Sequence, residues 1–177
     1  METEEAKYTR VEYERRFLVS PRIDWRSVVE PYSKRFDDKY LRNTRLRLRL
    51  LTDSDTGRQL IKLNKKLDSA SPYYKTISRI LLSPGEYELF DAMDGDRLRK
   101  TRFYHRTLDR VFSIDVFEGE LEGLVLCETE AEGLEELMKV EPPEYVEQEV
   151  TEDVFFTGGN LCQITHTQLH QKLSTLK

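Results

Sequence analysis

Apolar and charged residues alternate in one short run after another along this 177-residue chain. In Val11–Val19, Glu12, Glu14 and Arg16 share one parity, while Val11, Tyr13, Phe17 and Val19 share the other, with Arg15 the one polar residue among them. Successive side chains of a strand point to opposite faces, so this spacing predicts a strand with one charged and one apolar face. Thr44 to Leu50 is stricter, setting Arg45, Arg47 and Arg49 against Leu46, Leu48 and Leu50. Gln59 to Leu67 sets Lys62, Asn64 and Lys66 against Ile61, Leu63 and Leu67. Tyr73 to Leu82 carries Lys75 and Arg79 on one face, and Arg97 to Thr107 carries Lys100, Arg102 and Arg106. Val111 to Phe117 opposes Phe112, Ile114 and Val116 to Ser113 and Asp115, and Leu124 to Ala131 places Glu128 and Glu130 opposite Cys127 and Thr129. Tyr32 to Leu41 reads as a further strand of weaker pattern.

The breaks between these runs have their own chemistry. Asp24 is placed to cap a short helix over 24–29. Thr52 to Gly57 is a polar hairpin loop, and Ser69 to Pro72 and Gly119 to Gly123 read as turns. Ser83-Pro84-Gly85-Glu86 is a capping box with proline at the first helical position, which commits Glu86 and Glu88 to a helix. Gly133 to Val140 predicts a short helix ended by Pro142-Pro143, and a terminal helix is expected over about 161–175. With no long linker and no repeat, residues 1–177 read as one domain. About eight strands joined mostly by short turns, with a few short helices, place it in the α+β class as an antiparallel barrel or strongly curved sheet.

Charge decides what such a barrel could enclose. Charged residues make up 34% of the chain and hydrophobic ones 38%, with a net charge of −5. Ionised faces cannot be buried in hydrocarbon without a penalty of several kcal/mol each unless they are paired. Either the charged face is outside, its charges neutralised as cross-strand salt bridges, or the sheet closes around a hydrated, charged lumen with its apolar face covered by helices. The acids fall on some strands (Glu12, Glu14, Asp115, Glu128, Glu130) and the cations on others (Arg45, Arg47, Arg49, Lys62, Lys66, Arg79, Lys100, Arg102). Carboxylates without His or Cys suit a hard cation such as Mg²⁺ or Mn²⁺, and an arginine-rich wall suits phosphate oxygens. Together they are equipment for phosphoryl transfer. The acidic balance argues against bulk binding to nucleic acid. No apolar run approaches the ~20 residues of a membrane span. Isolated Cys127 and Cys162 and an acidic N-terminus without a signal-peptide core fit a cytoplasmic setting.

The same residues carry a family resemblance over nearly the whole chain. Glu12-x-Glu14-x-Arg16-Phe17-Leu18-Val19 resembles the opening signature of the CYTH superfamily, the triphosphate tunnel metalloenzymes. Tyr40-Leu41 with Leu46-Arg47-Leu48-Arg49, Ile61-Lys62, Lys100-x-Arg102, Ile114-Asp115-Val116-Phe117-Glu118-Gly119, Gly123-Leu124 and Glu128-x-Glu130 follow in the family's order, as do Glu149-Val150-Thr151 and Asn160-Leu161. The resemblance implies an eight-stranded antiparallel β-tunnel with a charged lumen, binding a small-molecule triphosphate. Glu12, Glu14, Asp115, Glu128 and Glu130 would then serve the metal. Arg16, Arg47, Arg49, Lys62, Arg79, Lys100 and Arg102 would grip phosphates, with Glu12, Glu14, Arg16 and Lys62 closest to catalysis. Two departures stand out. Arg16 replaces the usual lysine, and the family's R-x-E-x-E reads Arg79-Ile80-Leu81-Leu82-Ser83, without either acid. The implied activity is metal-dependent hydrolysis of inorganic triphosphate or a small organic triphosphate. The alternatives are a class IV-type adenylate cyclase, or a triphosphate- or polyphosphate-binding module with little turnover, the last motivated by Leu81 and Ser83. His166 and His170 read as an exposed helical pair, and His105, Cys127 and Trp25 as structural.

Overall fold

The computed structural model describes residues 9–67 and 69–176; the acidic Met1–Glu5 segment lies outside them. Among the described residues nine strands form a single sheet: β1 (Arg10–Val19), β2 (Ser33–Leu41), β3 (Leu46–Asp53), β4 (Gln59–Leu67), β5 (Tyr74–Leu81), β6 (Gly95–Arg106), β7 (Val111–Phe117), β8 (Val125–Ala131) and β9 (Val146–Glu149). Their order is β5-β4-β3-β2-β6-β7-β8-β1-β9, and a further β5–β1 pairing closes the first eight into an antiparallel barrel. Every strand of the expected barrel is present. β9 is the ninth, which the sequence reading did not resolve.

Closure rests on β1, whose one edge serves two partners. Arg10 to Tyr13 pair with β5, and Phe17 to Val19 pair with β9 on the same edge, while β8 holds the opposite edge from Tyr13 to Leu18. β5 therefore leaves β1 halfway along, and β9 fills the gap. The polar residue on the apolar face of β1 has its explanation here. Arg15 donates from Nε to Glu149 at 3.0 Å, from Nη2 to the same carboxylate at 2.6 Å and from Nη1 to the Val140 carbonyl at 2.8 Å, tying β9 to the barrel.

The connections follow their local chemistry. Asp24 accepts from the Arg26 amide and caps a 3-10 turn over Trp25–Val28. Ser83 and Glu86 form the reciprocal capping box that opens α1 (Pro84–Asp91). α2 (Leu134–Met138) is shorter than the expected helix over 133–140. The terminal helix expected over about 161–175 is divided. A 3-10 turn (Val154–Phe156) leads into α3 (Gly158–Leu161), and α4 (His166–Ser174) starts afresh with its own capping box from Thr165 to Gln168.

The apolar residues gather in two places. Phe17, Val19, Trp25, Phe112, Ile114, Cys127, Val140 and Tyr145 pack on the outer face of β1, β7 and β8. His105 belongs to this cover, its Nδ1 lying 3.0 Å from the Tyr145 hydroxyl. The second cluster joins Leu18, Leu98, Phe117 and Leu126 from the strands to Phe156, Leu161 and Leu169 from the C-terminal segment. Phe156, Gly158 and Leu161 line the tunnel interior, so the 3-10 turn and α3, rather than α4, stop one end of the barrel. Burying a phenylalanine as completely as Phe156, 1% exposed, contributes about 1.5–3 kcal/mol. The tunnel is blind.

Candidate active site in the tunnel

The lumen is a cavity of about 270 Å³ inside the barrel. Its walls are the charged faces that strand alternation picks out. Glu12, Glu14 and Arg16 come from β1, Arg47 and Arg49 from β3, and Lys62 and Lys66 from β4. Lys75 and Arg79 come from β5, Lys100 and Arg102 from β6, and Glu128 and Glu130 from β8. Lys66 belongs to the lining; Arg45 precedes β3, is exposed, and does not. Antiparallel register brings the families of charge together, setting Glu12 opposite Lys75, Arg16 opposite Glu128, Arg49 opposite Lys62 and Arg102 opposite Asp115.

Three acids, two of them fully buried, hold the cationic wall in place. Asp115 is fully buried, accepts from Arg102 Nε and Nη2 at 2.6 Å each, and also pairs with Lys100. Glu128 accepts from Arg16 Nε at 3.0 Å and from Arg102 Nη2 at 2.6 Å. Asp38 on β2 is 1% exposed and takes both arms of a fork from Arg49 at 2.6 Å, with Arg47 Nη1 at 3.8 Å. Burial alone would raise the Asp38 and Glu128 carboxyls. For Asp38 the guanidiniums of Arg49 and Arg47 outweigh it and hold the group below the usual range. Lys100, Arg102 and Arg16 do the same for Glu128, keeping it well below that range.

The acids toward β1 and β8 behave differently. Glu12 pairs with Arg79 at 3.0 Å, and Glu14 with Arg16 at 2.5 Å and with Lys75. Glu130 makes no hydrogen bond or ion pair with the described residues; burial first, then Glu12, Glu14 and Glu128, push its carboxyl up. Four carboxylates from two neighbouring strands thus crowd one side of the lumen, repelling one another. As they stand, no three acid, His or Cys side chains among the described residues form a ready ion cage, because three of these four carboxylates are turned to cations. The donor set is nonetheless all oxygen, and the repulsion felt by Glu130 is what a hard divalent cation would relieve, so the residues fit magnesium or manganese.

The cations include two, Lys62 and Lys66, that form no ion pair among the described residues. Desolvation lowers Lys62, with Arg79 and Arg49 adding to the effect. Lys66 lies deeper, and burial followed by Lys75 and Arg47 hold its ammonium well below the usual lysine value. Beside it Asn64, 1% exposed, has neither its amide nitrogen nor its oxygen bonded, and Arg47 Nε is likewise unpaired. Desolvated donors without acceptors are the mark of a site shaped for an anion.

Sequence reasoning found the lysines and arginines of β3, β4 and β6 but missed Asp38. Lys34, Phe36, Asp38 and Tyr40 share one parity on β2, which is the signal that would have revealed it. The family's two missing acids are absent in space as well. Leu81 is 65% exposed at the open end of β5, Ser83 is the cap of α1, and Glu86 is spent on that cap. His166 and His170 are exposed on α4, their Nε2 atoms 3.0 Å apart.

No protein-family profile matches the chain. It is 32% identical over 154 residues to the inorganic triphosphatase of Nitrosomonas europaea, covering 80% of this chain and 90% of that one. The crystal structure of the inorganic triphosphatase NE1496 superposes with a TM-score of 0.56 at 26% identity, covering 86% of this chain and 95% of that one. Hippeastrum HpAC1, whose structure is described with a dominant triphosphatase activity, shares the fold at 12% identity and a TM-score of 0.50, over 72% of this chain and 82% of that one. With the ordered motifs, the closed eight-stranded tunnel and this similarity in hand, the chain belongs to the CYTH-type triphosphate tunnel family.

Proposed function

We propose that this protein is a triphosphatase that hydrolyses inorganic triphosphate or a small organic triphosphate inside its tunnel, with magnesium or manganese as the activating ion. The observation that carries the reading is the blind lumen, with Glu12, Glu14, Glu128 and Glu130 on β1 and β8 facing a wall of Arg47, Arg49, Lys62, Arg79, Lys100 and Arg102. A polyanion is the ligand that such a wall satisfies. Its innermost phosphoryl group would meet Arg16, Lys66 and Lys75, with Arg47 offering an unpaired N–H group. Asp38 and Asp115 would not touch substrate; they keep the forks of Arg49 and Arg102 extended, so little reorganisation is needed when phosphate arrives.

Glu12, Glu14, Glu128 and Glu130 would hold the ion, which when bound neutralises phosphate charge and supplies an activated water. Glu14 and Glu128, kept ionised by the surrounding cations, can orient a water by accepting its hydrogen bonds. Attack of the water on the terminal phosphorus forms one P–O bond as the bridging P–O bond breaks; pyrophosphate, or the organic diphosphate, leaves with the electron pair, and the proton of the water ends on the released phosphate. In a loose transition state little base strength is required, and the arginines take up the charge that develops on the bridging oxygen. The two unpaired cysteines, one of them buried, suit the cytoplasm.

Leu81 at the mouth, where relatives of this family carry an acid, favours a second reading: tight binding without turnover. Phosphate release from inorganic triphosphate in magnesium, manganese or EDTA separates the two. Metal-dependent release establishes the enzyme. Binding with no release in any metal establishes the binder.

A further inference from the structure

The lumen face of the barrel does not stop at the phosphate-gripping residues. On β6 the parity of Lys100 and Arg102 continues to Tyr104, and on β2 the parity of Asp38 and Phe36 continues back to Lys34 and Tyr32. Register confirms the continuation, with Lys34 opposite Arg102 and Tyr104 opposite Ser113. At the open mouth the rings of Tyr32 and Tyr104 stack, their centroids 5.2 Å apart and their planes within 10°. The Lys34 ammonium lies 5.7 and 5.6 Å from the two centroids. Both tyrosines are half-buried, so the stack keeps exposed aromatic surface. Across the same mouth Leu81, opposite Lys62, presents a largely exposed apolar side chain to the rim.

An inorganic polyanion gains nothing from such a rim. Two parallel rings and an exposed leucine beside a run of arginines suit a ligand with an anionic chain at one end and a flat apolar group at the other. We propose that the tunnel mouth is a separate aromatic subsite, built on Tyr32 and Tyr104, for the planar heterocycle of an organic triphosphate. Lys34 marks the junction: it lies level with Arg102 and inward of the rings, where the first phosphate joins the organic group. The triphosphate chain runs inward from there, its terminal phosphate deepest. The inference rests on the triphosphatase reading for the orientation of the chain, but its evidence is the stacked pair, which the phosphate site does not use.

Equilibrium binding with the metal chelated tests it without turnover. ATP and ribose 5-triphosphate differ by the base alone, and stacking on the tyrosines is expected to make ATP bind about tenfold more tightly. Tyr32→Leu, which keeps an apolar side chain at the rim, should erase that advantage while inorganic triphosphate binds as before; Tyr32→Phe should retain it. Equal affinities of ATP and ribose 5-triphosphate for the parent protein would overturn the subsite and leave the triphosphate site standing. So would a base advantage that survives Tyr32→Leu. Failure of inorganic triphosphate itself to bind would bring down the tunnel reading, and this subsite with it.

Discussion

Asp38 offers the sharpest test of how the cationic wall is held. Asp38→Asn keeps the volume but removes the charge facing Arg49 and Arg47, and turns an amide donor or a weak acceptor toward two guanidinium arms now 2.6 Å away. Breaking a buried ion pair from one side costs about 3–5 kcal/mol. The low end applies here, because the Arg49 side chain keeps 14% exposure on a polar lumen, which gives about 3 kcal/mol. For a chain of this size the melting temperature should fall by roughly 6–12 °C. The same measurement with saturating inorganic triphosphate should show a smaller loss, since phosphate oxygens supply the missing acceptors. A variant that melts with the parent in the absence of any anion would refute the claim that Asp38 restrains the wall. An equal loss with and without triphosphate would refute the claim that the wall is kept for phosphate.

Glu128→Gln removes charge at the junction of the acid cluster and the wall; metal-dependent phosphate release should fall by more than ~100-fold with the far-ultraviolet spectrum unchanged, and parental turnover would remove Glu128 from the ion site. Lys66→Met replaces a desolvated ammonium by an apolar chain, so triphosphate should bind more weakly, by calorimetry, although the protein melts higher near neutral pH. The pH dependence has a definite sign: a lysine lowered in the folded state binds fewer protons there than in the unfolded chain, so the parent should gain stability as pH rises from that lowered value toward 10.5. Lys66→Met should flatten this rise, and an unaltered slope would show that another group carries it. Gly158→Ala would set a methyl group 2.0 Å from the Tyr40 hydroxyl, an overpacking expected to cost about 1–3 kcal/mol in thermal unfolding; no loss would mean that the α3 stopper yields freely.

How much of this was written in the sequence depended on whether one face of a strand was left uncharged. The Leu46–Leu50 run and Gln59–Leu67 announced themselves, because the outer face is leucine and the inner face cationic. β2 did not: Asp37 on its outer face accepts from Arg97 at 2.7 Å and Arg99 at 2.9 Å, so charge sits on both sides and the parity of Asp38 is masked. Barrel closure was equally hidden. It needs Arg10–Tyr13 to find residues 74–77, a pairing between distant runs that no local spacing encodes. The stopper was hidden for a related reason. Phe156 and Leu161 carry the apolar contacts on a 3-10 turn and a four-residue helix, too short to show a period. Arg15, which broke the alternation of β1, was the visible trace of β9.

A dead-end bore also limits how the molecule can work on long chains. With Phe156 and Leu161 across one end, a polyphosphate cannot be threaded through and trimmed as it emerges. It must be inserted by its tip, cut, and withdrawn, and the pyrophosphate or shortened chain leaves by the doorway through which the next substrate comes. The depth from the rim to the stopper would then act as a gauge of chain length, since any phosphates beyond what the bore holds have to remain outside in solvent. Turnover would then slow as chains lengthen, and products would compete with substrate for a single entrance.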